Sequence, residues 1–210
     1  MPELSFPLEF TFKTPSLANK ITVKDTQGLE IFSVHQVHSD VLSESSLLNI
    51  DPFLDEAFVY TDASEAHLRY SIKAYQSKEF YASFMFTDHE NLLFGHIVRR
   101  HWDYVLRAHY SVFDQYWRPV FTIKEADVMT RVHDTMLGRI PFISLLTGYF
   151  FNPSYYITRP DGSHVATVTK EKSFLSSRFT LTQAGPCTPH EQERLLLSTM
   201  LLVLQERRRG

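Results

Sequence analysis

The sequence predicts a mainly-β domain of the α+β class: a closed or nearly closed array of antiparallel hairpins packed around one apolar C-terminal helix. Three observations carry this. Short strand-like runs separated by polar turns recur at intervals of about 8–12 residues, the spacing of a sandwich or barrel. Aromatic residues make up 14% of the chain, with 17 Phe and 10 Tyr, which suits pleated, half-buried surfaces. The run from Leu195 to Leu204 is apolar on all sides of a helix axis, as in a helix enclosed by protein.

Taken in order, the first hairpin is Lys20–Lys24, the turn Asp25-Thr26-Gln27-Gly28, and Leu29–Val34. Tyr70-Ser71-Ile72-Lys73-Ala74 alternates cleanly and reads as another strand. Tyr81–Thr87 and Leu92–Arg99 flank the turn Asp88-His89-Glu90-Asn91. A further hairpin begins at Val120-Phe121-Thr122-Ile123-Lys124. Tyr155–Thr158 and His164–Lys170 flank Arg159-Pro160-Asp161-Gly162-Ser163, where Pro presets φ and Gly accepts a positive φ. Ser177–Thr182 forms one more strand. The likeness of the hairpins near the two ends points to internal duplication.

Two segments interrupt this plan. Residues 43–68 are turn-rich and acidic (Asp51, Asp55, Glu56, Asp62, Glu65), and are expected to form a loop-rich excursion with at most a short helix. Residues 126–147 place Met129, Val132, Met136, Ile140 and Ile143 at helical spacing. Gly138 and Pro141 should kink that helix, which is expected to pack outside or to plug one end. No Pro/Gly/Ser-rich linker divides the chain, so residues 1–210 are read as a single domain.

The C-terminal helix has a clear start. Thr188-Pro189-His190-Glu191 is a capping box, with Pro189 at the first helical position. The expected core residues are Leu195, Leu196, Leu197, Met200, Leu201, Leu202, Val203 and Leu204, followed by Arg207, Arg208 and Arg209 where the helix dipole favours cations. Ten residues rise about 15 Å, against about 30 Å for a bilayer core. The helix therefore does not span a membrane unaided. An interfacial helix is the rival reading, but that needs one strongly polar face.

The net charge of −3 creates no global field that recruits nucleic acid or anionic membrane, so any anion site must be local. Cys187 is the only cysteine, which excludes an internal disulfide and predicts a reducing compartment. Met1–Pro7 has neither a basic nor an apolar signal region, so no secretory leader is expected. A cytoplasmic location follows as the expectation, peripheral at the membrane if lipid is bound. Phosphate-cradling Gly-rich loops and the Gly-x-Ser-x-Gly elbow are absent from the sequence. His89-Glu90 and His190-Glu191 lack the second histidine of a zinc motif, having Leu93 and Arg194 at that position. His35 and His38 face opposite sides of a regular strand. His96, His101 and His109 lack companion ligands at metal spacing. No metal or cofactor is expected. Cys187 beside His190 could form a nucleophile–base pair, with the helix N-terminus lowering the thiol pKa; an inert small apolar residue is the ordinary reading.

Phe151–Leu204 resembles the final part of the Tubby carboxy-terminal-like superfamily, as found in phospholipid scramblases and LURP-one-related proteins. The resemblance rests on Tyr155-Tyr156-Ile157, the Asp161-Gly162 turn, the strand running into Lys170-Glu171-Lys172, then Phe179-Thr180-Leu181 and the apolar helix. Lys24–Phe32 is similar to the opening hairpin of the LURP-one-related group. The resemblance covers about the last quarter of the chain and this short piece near the start. It implies a barrel of about twelve strands around a central hydrophobic helix, and a domain that binds phosphoinositides through clustered Lys and Arg. The chain departs from scramblases in one respect that matters: Thr182–Cys187, where they carry an acidic calcium-binding segment, has no carboxylate. The proline-rich region and acylated cysteine cluster are also missing. Calcium-activated scrambling is not expected.

Two basic groups are the candidate anion or phospholipid sites: Arg99 and Arg100 with Arg107, and Lys170, Lys172 and Arg178. Guanidinium forks match phosphate oxygens, while solvated strand ends and guarded edges are the ordinary use of such residues. The expected function is a non-enzymatic binding or scaffold domain for an anionic membrane lipid or a protein partner, with no nucleic acid. The alternative is a small-molecule-binding or hydrolytic protein using a histidine-rich barrel rim around His96 and His101. A purely structural interaction module is the third reading.

Overall fold

The computed structural model describes residues 4–12, 19–37, 56–62, 64–78, 81–100, 109–126, 153–171 and 178–207. Twelve strands run in sequence order round a closed barrel: β1 (Leu8–Phe12), β2 (Asn19–Lys24), β3 (Glu30–Val37), β4 (Glu56–Tyr60), β5 (Leu68–Lys78), β6 (Tyr81–Asp88), β7 (Leu93–Arg100), β8 (His109–Asp114), β9 (Pro119–Glu125), β10 (Ser154–Thr158), β11 (His164–Glu171) and β12 (Arg178–Gln183). Each pairs antiparallel with its neighbours, and β1 closes on β12 through Leu8 opposite Leu181 and Phe10 opposite Phe179. Closure leaves no unpaired sheet edge. One helix, α1 (Pro189–Arg207), follows β12.

Alternation decides which face goes inward. Leu8, Phe10 and Phe12 of β1 are buried, while Glu9 and Thr11 between them are not. The same period places Ile21 and Val23, Tyr110 and Val112, Phe121 and Ile123, and Tyr155 and Ile157 inside. Outward positions include the charged residues Glu9, Lys73, Lys124 and Arg178. Leu195 to Leu204 fill the interior, each at most 3% exposed. The enclosed helix expected from the sequence is therefore what forms. No helix among the described residues is long and apolar enough to cross a membrane.

The capping box forms as expected. The Glu191 N–H donates to Thr188 Oγ1 at 3.3 Å, and the Thr188 N–H donates to Glu191 Oε2 at 2.8 Å.

The two ends of the barrel differ. The hairpins β2–β3, β4–β5, β6–β7, β8–β9 and β10–β11 all turn at the end where α1 enters. Three of these turns share one hydrogen-bond design. Asp25 Oδ1 accepts from the N–H groups of Gln27 and Leu29, Asp88 Oδ1 from Glu90 and Leu92, and Asp114 Oδ1 from Tyr116 and Arg118. The fourth residue of each turn takes a positive φ: Gly28 at +78°, Asn91 at +61° and Trp117 at +63°. An Asp88→Ala variant loses both carboxylate bonds of its turn. It is expected to be about 1–2 kcal/mol less stable, measured by urea denaturation; an unchanged midpoint would show the turn needs no such brace.

Three expectations change. Val120–Lys124 does not begin a hairpin. It lies within β9, the returning strand of the β8–β9 hairpin, with His109 opposite Lys124 and Tyr110 opposite Ile123. The described part of the 43–68 segment contains a strand, β4. Ala57 and Val59 face the core, and two of the segment's acids, Glu56 and Glu65, are ion-pair partners. Glu56 meets Lys73 at 2.7 Å, and Glu65 bonds Lys20 and meets His35 at 3.4 Å. Third, β1 is an additional strand, alternating within Leu8-Glu9-Phe10-Thr11-Phe12. Residues 43–55 lie outside the described residues, as does all of the 126–147 segment except Ala126, which is buried.

Candidate binding surface

The mouth where α1 enters is lined by polar groups from the helix and the hairpins around it. Arg159, in the β10–β11 turn, grips Glu191 with both arms: Nε to Oε1 at 2.9 Å and Nη2 to Oε2 at 3.4 Å. Its Nη2 also donates to the Pro186 carbonyl at 2.6 Å. This bidentate bond holds the Glu191 carboxyl below the usual carboxylate range and raises the Arg159 guanidinium. Tyr70 donates to Glu193 Oε1 at 2.6 Å, with Arg69 at 3.9 Å and His190 Nδ1 at 3.3 Å from the same carboxylate. Burial first, and then Glu193, push the Tyr70 phenol up. Arg194 donates to the Phe94 carbonyl at 3.2 Å and to Gln115 Oε1 at 3.0 Å, and its guanidinium lies 4.7 Å from the Phe94 ring centroid. Burial works against its charge and lowers its pKa. These groups tie the first turns of α1 to β5, β7, the β8–β9 turn and the β10–β11 turn.

Cys187 sits at the same mouth, half-buried, with its thiol 4.0 Å from Arg159 Nη2 and 3.8 Å from the Gly185 carbonyl. The helix N-terminus was expected to lower its pKa. Burial and then Glu191 instead push the thiol up, and Arg159 offsets this only in part. Such a thiol is a poor nucleophile.

The basic candidates fall in different places. Arg99 points inward from β7 and its Nη1 donates to Gln205 Oε1 of α1 at 3.1 Å. Lys170 lies at the opposite rim, its Nζ 5.8 Å from the Phe179 ring centroid. Arg178 faces outward between Glu9 at 3.4 Å and Glu171 at 3.8 Å. The Arg100 side chain, Arg107 and Lys172 lie outside the described residues, as does His101. Among the placed residues, only Lys170 and Arg178 lie on neighbouring strands; Arg99 is turned to the helix.

His96 lies on the outer wall. Its neighbour Gly95 faces Arg194 of the helix and Ile97 is buried inside, so alternation sends the imidazole outward. It is covered all the same. Trp117 stacks on it, with ring centroids 4.0 Å apart and planes 13° apart, and Tyr75 meets its edge at 5.9 Å. Tyr75 can do this because it is the extra residue of a β-bulge in β5, between Ala74 opposite Phe84 and Gln76 opposite Ser83, and bulges re-aim side chains.

Around the mouth, the β2–β3, β6–β7 and β8–β9 tips leave Leu29 63%, Leu92 60%, Tyr116 69% and Trp117 49% exposed. Because each turn carboxylate bonds its own backbone, it does not shield these side chains. The sequence reading missed Tyr116 and Trp117. The signal was available: Asp114-Gln115-Tyr116-Trp117 aligns with Asp25-Thr26-Gln27-Gly28 and Asp88-His89-Glu90-Asn91, and only this turn puts a bulky residue where the others have Gly or Asn.

Comparison with known protein families, with curated proteins and with solved structures finds no match to this chain.

Proposed function

We propose that the protein is a non-enzymatic binding domain that recognises an anionic phospholipid surface, or failing that a protein partner, through the outside of a plugged barrel. The observation behind this reading is the filled interior. With Leu195–Leu204 occupying the lumen, recognition falls to the outer wall and the ends. There the hairpin tips expose Leu29, Leu92, Tyr116 and Trp117. Tyr and Trp suit surfaces that are apolar at one end and wet at the other, whether a headgroup layer or a protein interface. Arg118 beside them supplies a cation, its guanidinium 5.1 Å from the Tyr116 ring centroid and its Nε 2.8 Å from Asp114. The Tubby-like resemblance agrees with a lipid ligand, and a peripheral membrane location would follow from it.

Flotation with vesicles of phosphatidylcholine alone and of phosphatidylcholine with phosphatidylserine separates the arms. The lipid reading expects the protein to float only with the anionic vesicles, and a Tyr116→Asp, Leu92→Asp double variant to float less. Protein remaining in the dense fraction with both vesicle types removes the lipid arm and leaves the protein partner.

A further inference from the structure

His96 is 6% exposed, and neither of its ring nitrogens has a hydrogen-bond partner. A neutral imidazole has one donor and one acceptor to satisfy, and buried polar groups are almost always paired. Covering this ring requires an unusual backbone. Trp117 takes φ +63°, a region where the β2–β3 and β10–β11 turns place Gly28 and Gly162. Residues held in this region against their steric preference mark places where surrounding contacts over-determine the backbone. The Asp114 turn sets this backbone, with the Trp117 N–H donating to the Asp114 carbonyl at 3.1 Å, and the indole is seated there by its stack on His96 and a tilted contact with Phe113 at 5.5 Å.

We propose that the Trp117 tip is a lid latched on the neutral His96 ring, and that protonation of His96 releases it. A protonated imidazole has two charged N–H donors that need acceptors. The neighbours across the strands are Met85 of β6 and Phe113 of β8, neither of which is charged. Tyr75 comes from β5. Beyond Met85 in the same row stands Lys73, whose charge is met by Glu56. The carboxylate that acts on the ring is Asp114, from the end of β8. Its oxygens are already engaged by the Tyr116 and Arg118 N–H groups and by Arg118 Nε. The charged ring therefore has to reach water, and Trp117 stands in the way.

The sign follows from burial, which holds the imidazole below its ordinary range, with Asp114 opposing only in part. An unfolded chain takes up the proton first as pH falls. The neutral latch thus contributes fully above about pH 6.5 and is lost as pH falls through the lower folded-state value. Release frees the strained turn and uncovers an aromatic tip next to Tyr116. This gating goes beyond the binding reading and does not depend on which partner is bound.

The test needs no ligand. The chain has 2 Trp, so in a Trp102→Phe background Trp117 is the only indole. Acrylamide quenching of its fluorescence is followed between about pH 8 and about pH 5. The quenching constant is expected to rise with a midpoint below about 6.5, and to stay flat when His96→Phe is added, since Phe stacks but takes no proton. A constant that does not change with His96 intact, or an equal rise in the His96→Phe protein, overturns the proposal. Should Trp102→Phe not fold, fluorotryptophan-labelled wild-type protein, with the line assigned by Trp117→Phe, reports the same event. Relaxation of the Trp117 fluorine by a soluble gadolinium chelate must then grow on acidification; constant relaxation overturns the latch.

Discussion

Replacing Leu197 with alanine is expected to cost about 4–5 kcal/mol, near the top of the range for large-to-small core changes. Leu197 is fully buried in the helix that fills the barrel, and the wall around it is twelve hydrogen-bonded strands closed on themselves. The cost of a cavity depends on how far its surroundings collapse, and a closed barrel has its diameter set by strand number and stagger. The wall cannot move in without breaking its own ladders, so the void stays open. Against a total stability of roughly 5–15 kcal/mol for a domain, one such deletion brings the protein close to unfolding. Leu92→Ala, at an exposed hairpin tip, removes the same atoms from water-facing surface and should stay within about 0.5 kcal/mol of wild type. Urea denaturation followed by far-UV circular dichroism measures both. Equal losses at the two positions would mean that the barrel does not enclose the helix.

Gly95→Ala is the second large effect. A Cβ at this position would lie 2.7 Å from the Phe113 carbonyl oxygen and 3.5 Å from Arg194 Nε. The first atom is backbone of the paired strand β8 and has no rotamer to escape into. The second belongs to a guanidinium already committed to the Phe94 carbonyl and Gln115. Either β7 and β8 separate or Arg194 gives up its bonds, so a loss of about 2–3 kcal/mol is expected. Gly28→Ala provides the contrast, because nothing lies within 4 Å of its added Cβ. It bears only the cost of a left-handed backbone, about 1–2 kcal/mol. Thermal unfolding of the two variants ranks them, and a Gly95→Ala protein as stable as wild type would remove the close approach of β7 to β8.

How much of this was legible depended on the range of the forces involved. The Asp25, Asp88 and Arg159-Pro160-Asp161-Gly162 turns were readable because their chemistry is complete within five residues. β5, β6, β7, β10, β11 and β12 were readable from alternation between those turns. β4 was obscured by charge, since Glu56 and Glu65 look like loop residues until Lys73, Lys20 and His35 come across the sheet to meet them. For the candidate surface the basic residues were the visible signal, yet Arg99 turned inward to Gln205 and Arg178 took a place between two carboxylates. The aromatic residues at the tips were the less conspicuous signal.

The sequence alone determined that α1 would be enclosed, because an apolar run on every side of a helix, too short to cross a bilayer, has to be buried in protein. It also determined where the chain would turn, because Gly, Asn and Asp make local bonds that need no distant partner. Only the tertiary structure decided that Leu8 would meet Leu181 to close the barrel, that Arg194 would face Gly95, and that Trp117 would lie over His96. Those contacts join residues that no local pattern relates. They depend on the stagger of the twelve-strand wall and on the depth of the helix inside it.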